Sequence, residues 1–234
     1  MRRRQRHFKY RSIGPRAAYD ARYISGLSDG AVVSSWSDLS GNGFTATQTT
    51  VGRQPTYKAA ALGGSASVRF AGTTDNLTHS ITPNATHTSF VALNRLSSQT
   101  GYRSVYAVGT TGALGESLMV VRQQTVDKWG TYTTVEAIAN SAVPISTPVI
   151  LTMTDNNNSG GSFFYGGAAD GTWTGNAIGQ GPNHIGGYYT SSPLLDQTMN
   201  ADLGAFVMTS ASLADPLRKR IEKTLAYSFK IACS

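Results

Sequence analysis

Short strand-like runs separated by turn-forming residues succeed one another from Ser67 to Met208, and this succession restricts the fold more than any other feature. Val68 and Phe70 alternate with Arg69, and runs at 88–96, 102–108, 117–121, 128–134 and 149–154 follow. Runs at 163–165, 184–187 and 203–208 complete the series, with GTTD, TTGALG, DNNNSGG, GGAADG and GQGPN as turn signals between them. Such spacing predicts a two-sheet antiparallel sandwich. No segment repeats at a fixed period, so propellers and solenoids are excluded. Only 14% of the residues are charged, which suits strands and turns rather than helices laced with ion pairs. The 234 residues fill one sizeable core. Cys233 is the single cysteine, so no internal disulfide forms.

Residues 32–48, VVSSWSDLSGNGFTATQ, organise the N-terminal half. Val32, Ser34 and Trp36 alternate with Val33, Ser35 and Ser37, which gives a short β run and assigns Trp36 to the core. Residues 38–43 must then turn the chain, with Asn42 and Gly43 suited to positive φ. Residues 17–22, AAYDAR, read as a first strand. GLSDG at 26–30 satisfies the G-x-S-x-G of a nucleophile elbow, but that elbow needs a helix after the serine. The strand-like AVVSSW follows instead, so Ser28 is a turn residue. Near the C-terminus Asp215 caps a helix beginning at Pro216, with Leu217, Ile221 and Leu225 on one face and Arg218, Lys219 and Arg220 outside.

Trp36, Asp38, Ser40, Gly41, Asn42 and Gly43 spell W-x-D-x-S-G-N-G. Together with FTATQ after it, GRQPTY at 52–57, SVRFAG at 67–72, HIGGYY at 184–189 and the terminal run ADLGAFVMTSASLADPLRKRIEKTLAYSFKI, this resembles the concanavalin A-like lectin/glucanase domains of the laminin-G-like kind. The resemblance covers both ends of residues 17–232, and strand patterning covers the middle. It implies an all-β, two-sheet antiparallel concanavalin A-like jelly-roll sandwich at 17–234. One C-terminal amphipathic helix closes that domain, and a basic N-terminal arm at 1–16 precedes it. Lectins, glycosidases, lyases and structural modules share this fold, so function has to come from residues.

Those residues argue against catalysis. Where many family members carry a glutamate in the last strand, this chain has Ala205. Retaining hydrolysis needs two carboxyl groups about 5 Å apart, yet Glu116, Glu136 and Glu222 each lack an acidic neighbour two to five residues away. The chain is therefore expected not to be an enzyme. His79 and His87 read as polar surface residues, and no cluster has zinc spacing. Calcium is the one cofactor left open, through the oxygens of DNNN at 155–158 and of Asp170, although neither makes a D-x-[DN]-x-[DN]-G loop. Trp129, Trp173, Tyr188 and Tyr189 sit beside Gly, Asn and Thr, as platforms for stacking a cell-surface glycan do. Trp173, within GTWTG, is the leading candidate.

Charge is segregated. Arg2, Arg3, Arg4, Arg6, Lys9, Arg11 and Arg16 lie within residues 1–16 without an acid, and the other 13 basic and 13 acidic residues cancel. No apolar run of the secretory kind follows the arginines, and no stretch of about 20 apolar residues could cross a membrane. These features predict a noncatalytic virion protein, a phage capsid decoration or surface protein assembled in the host cytoplasm. Other virion proteins would hold the arm, with nonspecific, salt-sensitive nucleic-acid contact and a cell-surface glycan as further partners. A free carbohydrate-binding lectin-like module and a glucanase-fold enzyme are the alternatives.

Overall fold

The computed structural model describes residues 10–81, 86–99, 101, 103–108, 116–122, 126–132, 136–156, 159–174, 183–187, 189–191, 194–195 and 198–234. In chain order its first strands are β1 (Pro15–Asp20), β2 (Ser35–Trp36), β3 (Ala46–Thr47), β4 (Thr56–Leu62), β5 (Ser65–Ala71) and β6 (Leu77–His79). Next come β7 (His87–Arg95), β8 (Ser104–Val108), β9 (Glu116–Arg122), β10 (Val126–Tyr132), β11 (Glu136–Ala142) and β12 (Val149–Asp155). The last are β13 (Gly161–Tyr165), β14 (Ala168–Trp173), β15 (Asn183–Ile185), β16 (Tyr189–Ser191), β17 (Leu194–Leu195) and β18 (Asn200–Thr209), before helix α1 (Asp215–Phe229).

These strands build an all-β sandwich of two large antiparallel sheets. The first runs β14-β13-β12-β7-β18-β5-β4, with β1 pairing to β18, and the second runs β11-β10-β9-β8-β15-β6-β3-β2. Strands β16 and β17 form a separate hairpin. Alternation sends Val91 and Leu93 of β7, Leu151 and Met153 of β12, and Leu203 and Phe206 of β18 inward. There they meet Trp36, Leu77, Tyr106, Trp129 and Ile185 of the second sheet. The intervening residues Phe90, Ala92, Ile150, Ala205 and Val207 face outward and are covered by Ile221, Leu225 and Phe229 of α1. Strands buried on both faces carry near-continuous apolar runs, which is why β7, β12 and β18 are the plainest strands in the sequence. Each of the three helix side chains contributes about 1.5–3 kcal/mol by leaving water.

The W-x-D-x-S-G-N-G motif is a clamp. Asp38 Oδ1 accepts from the backbone N–H of Ala18 at 3.0 Å and of Ser40 at 2.9 Å. Its Oδ2 accepts from Ser40 Oγ at 2.6 Å and from Phe44 N–H at 3.1 Å. Asn42 Nδ2 donates to the carbonyls of Pro15 at 3.1 Å and Arg16 at 2.9 Å. One loop thereby pins β1, a strand of the first sheet, beside β2 and β3 of the second. Positive φ falls on Gly41 (93°) and Gly43 (81°), not on Asn42. The recurrent I-G-G has an equally physical cause: a Cβ on Gly186 would lie 2.1 Å from the Phe70 ring.

Three sequence expectations change. Helix α1 is capped at Ala214 without a side-chain bond, and Asp215 is its first residue, ion-paired to Arg218 and Lys219. Arg218 lies inside rather than outside, 1% exposed, bonded to Glu222 at 2.7 Å and stacked over the Phe164 ring at 3.5 Å. A charge can enter the outer core there because a carboxylate and a ring receive it. The body also begins before residue 17, since Tyr10 packs in the outer cluster and β1 starts at Pro15. Residues 2–9 of the arm lie outside the described residues, as does the side chain of Arg11.

Candidate functional site

Neither tryptophan of the expected glycan platform is available to a ligand. Trp173 is 4% exposed and its Nε1 donates to the Thr154 carbonyl at 3.0 Å. Trp129 is 1% exposed, packs edge-on against Phe163 and donates from Nε1 to Asp170 at 2.8 Å. The GTWTG segment reads as a loop because of its glycines, yet Gly171 sits at a register shift of the β13–β14 ladder and keeps Trp173 within the strand. Tyr188 lies outside the described residues, as does the side chain of Tyr189, whose backbone belongs to β16.

The calcium candidates are engaged as well. Asp170 also accepts from the N–H and hydroxyl of Ser141, and Asp155 is buried 3.9 Å from His87 Nδ1. Among the described residues no three His, Cys, Asp or Glu side chains gather as a metal site, and no helix is long and apolar enough to cross a membrane. His79 and His87 are buried, not surface residues. His79 accepts from Ile81 N–H through Nδ1. Burial, helped by nearby His184, brings the His79 pKa down to about 3, and burial brings that of His184 down to about 4.

A different set of residues makes a cleft. Asp20 ends β1 and accepts from Arg22 N–H at 3.0 Å, folding residues 21–23 into a 3-10 turn that presents Tyr23 at the surface, 37% exposed. The chain then turns through Ser28, whose carbonyl accepts from Ala31 N–H, as the elbow-like segment predicts. It returns along β4, where Val33 N–H meets the Pro55 carbonyl and Tyr57 N–H meets the Ala31 carbonyl. Between the outgoing and returning segments lies an open cleft of about 230 Å³. Tyr23, Ser25, Ser34, Ser35 and Ser37 line it, above a floor that includes Asp20 and Trp36. All four serines are exposed.

Donors and acceptors in the cleft are unevenly used. Asp20 is 1% exposed, and its oxygens accept from Tyr10 Oη at 2.6 Å and from Arg22 Nε at 3.0 and 3.2 Å. Burial and the Asp20 charge raise the pKa of Tyr10 well above the ordinary phenol value, and raise that of Tyr23 to a lesser degree. Both phenols are protonated donors at neutral pH. The indole N–H of Trp36 is buried without a hydrogen-bond partner among the described residues. Serine hydroxyls beside an aromatic face and an unused N–H suit a small polyhydroxy ligand. Ligand pockets usually measure about 300–1,000 Å³, so the occupant is small, such as one sugar ring of a longer chain. Tyr23 and the four serines escaped the sequence reading, although the serines of VVSSWS are conspicuous for a run taken as strand.

No family model and no curated protein matches the chain. Solved structures do. Domain 4 of AbnA, a GH43 extracellular arabinanase from Geobacillus stearothermophilus, in complex with arabinotriose, is 11% identical over 86% of this chain and 95% of that one, with a TM-score of 0.62. Trypanosoma rangeli sialidase in complex with sialic acid is 13% identical over 93% of this chain and 33% of that one, at 0.60. The botulinum neurotoxin type G receptor binding domain is 10% identical over 91% of this chain and 51% of that one, at 0.61. The chain spans nearly all of the arabinanase domain, a third of the sialidase and half of the toxin domain. At such identities the likeness establishes the fold, a lectin-like β-sandwich.

Proposed function

We propose that this chain is a noncatalytic carbohydrate-binding module of the concanavalin A-like, laminin-G-like kind, with its glycan seated in the cleft between Tyr23 and Ser37. The cleft carries the reading: exposed serine hydroxyls surround an aromatic ring and an unpartnered indole N–H. A sandwich of nearly the same extent, the arabinanase domain, is seen with arabinotriose, which supports a saccharide as the ligand class. Asp20 is the one carboxylate lining the cleft, and its oxygens already accept from Tyr10 and Arg22. A lone, engaged carboxylate supplies neither the acid nor the nucleophile of glycoside hydrolysis. The same module would serve on a virus particle, its Arg-rich arm turned toward the particle and its cleft toward a host glycan.

A glycan array with the intact chain tests this reading, followed by titration of the best responder into Tyr23→Ala and Ser34→Ala/Ser35→Ala. Each variant should weaken binding about tenfold, equivalent to 1.4 kcal/mol. Their melting temperatures should stay within about 3 °C of the parent, because all three positions are exposed. An array without responders, or variants that bind like the parent, would overturn the reading.

A further inference from the structure

Positive charge is more concentrated than the total of +7 suggests. Residues 1–16 carry +7, and residues 215–230 hold Arg218, Lys219, Arg220, Lys223 and Lys230 against Asp215 and Glu222, a further +3. Residues 17–214 therefore carry −3. Glu222 does not neutralise the helix surface, because it is fully buried and both oxygens accept from Arg218 at 2.7 Å.

Geometry gathers these charges on one side. At 3.6 residues per turn, Lys219, Lys223, Tyr227 and Arg220 fall within an arc of about 100°. That arc faces away from Ile221, Leu225 and Phe229, which pack on the first sheet. All four residues are exposed, Tyr227 to 83%. Lys230 follows at the C-terminal end, also exposed. The arm joins the body at that same end: Tyr10 bonds Asp20, Asp20 bonds Arg22, and the Arg22 guanidinium lies 4.8 Å from the Phe229 ring centroid. Nine residues can reach about 30 Å, and α1 is about 22 Å long, so the arm's cations lie within reach of the whole helix.

We propose that the exposed face of α1 and the basic arm together form one binding surface for single-stranded nucleic acid. Guanidinium groups pair with phosphate oxygens in a two-pronged manner, and four of the five basic residues before Tyr10 are arginines. Tyr227, exposed amid the lysines, offers the ring on which an unpaired base stacks. A membrane-surface helix would need its apolar face available, and here that face is buried against the sheet. The surface contains none of the serines of the glycan cleft, so either site can fail without the other.

Fluorescence anisotropy of a labelled oligothymidylate with the full chain, in a salt series, tests the proposal. Each phosphate contact contributes about −0.7 to the slope of log K against log salt for single strands. Lys219→Ala/Arg220→Ala/Lys223→Ala should flatten the slope by about 2 and weaken binding at least tenfold. Arg2→Ala/Arg3→Ala/Arg4→Ala/Arg6→Ala should flatten it by about 3. Tyr227→Ala should cost about fivefold or more at unchanged slope. Melting temperatures should match the parent. A helix triple variant with parental slope and affinity would overturn the shared surface. Tighter binding of anionic vesicles or polyaspartate than of the oligonucleotide, at equal charge and salt, would overturn the nucleic-acid assignment.

Discussion

Replacing Asp38 measures how much of the fold hangs on the loop that joins the two sheets. Its carboxylate accepts from three backbone N–H groups and one hydroxyl, and one of those donors, on Ala18, belongs to a fully buried residue. Hydrogen bonds to a charged group contribute about 1.5–3 kcal/mol each, and a buried donor left alone costs about 1–3 kcal/mol. Asp38→Ala strands the Ala18 amide, while Ser40 and Phe44 are half-buried and recover part of their loss from water. The expected total is about 3–4 kcal/mol, or about 6–16 °C in melting temperature for a chain of this size. Asp38→Asn keeps the oxygen facing Ala18 and Ser40 but turns an NH2 toward Phe44 N–H, so about 1–2 kcal/mol is lost. Thermal and urea unfolding should order the proteins wild type, Asn, Ala, with glycan affinity per folded molecule unchanged. An alanine variant within about 3 °C of wild type, or asparagine as damaging as alanine, would refute the clamp.

Trp173→Ala should lose about 3–5 kcal/mol in urea titrations while leaving glycan affinity intact, and a selective affinity loss would restore the platform reading. Glu222→Ala alone should lose about 3–5 kcal/mol by leaving Arg218 buried beside a distant partner, whereas Arg218→Met/Glu222→Leu should recover most of it. His79 and His184 have folded pKa values of about 3 and 4, below the unfolded value near 6.5. The unfolded chain therefore binds more protons, so each histidine should cost about 1.4 kcal/mol per unit as pH falls below 6.5, until its folded pKa is reached. A stability profile that His79→Gln leaves equally steep would contradict that assignment. Purified protein should release no reducing ends from polysaccharides, and release abolished by Glu116→Gln or Glu136→Gln would reverse the noncatalytic reading.

Much of the sandwich is legible in the chain because strand formation is written at short range. The double-sided apolar runs of β7, β12 and β18 and the alternation of β5 announce themselves. Edge strands do not: β4, TYKAAAL, is mostly half-buried or exposed and carries no apolar alternation. The spacing of Leu217, Ile221 and Leu225 likewise fixes which side of α1 is apolar. Periodicity names a face, however, and not what covers it. Trp129 and Trp173 look like loop platforms until Asp170 and the Thr154 carbonyl supply partners from other strands. Arg218 looks external until Glu222 and the Phe164 ring enclose it. The cleft needs β1 and the returning segment before β2 to be held apart by pairing with β4. The basic face needs Tyr10 and Phe229, more than two hundred residues apart, in one cluster. Burial and ion pairing arise from contacts between distant segments, and those distances exist only once the sheets have closed.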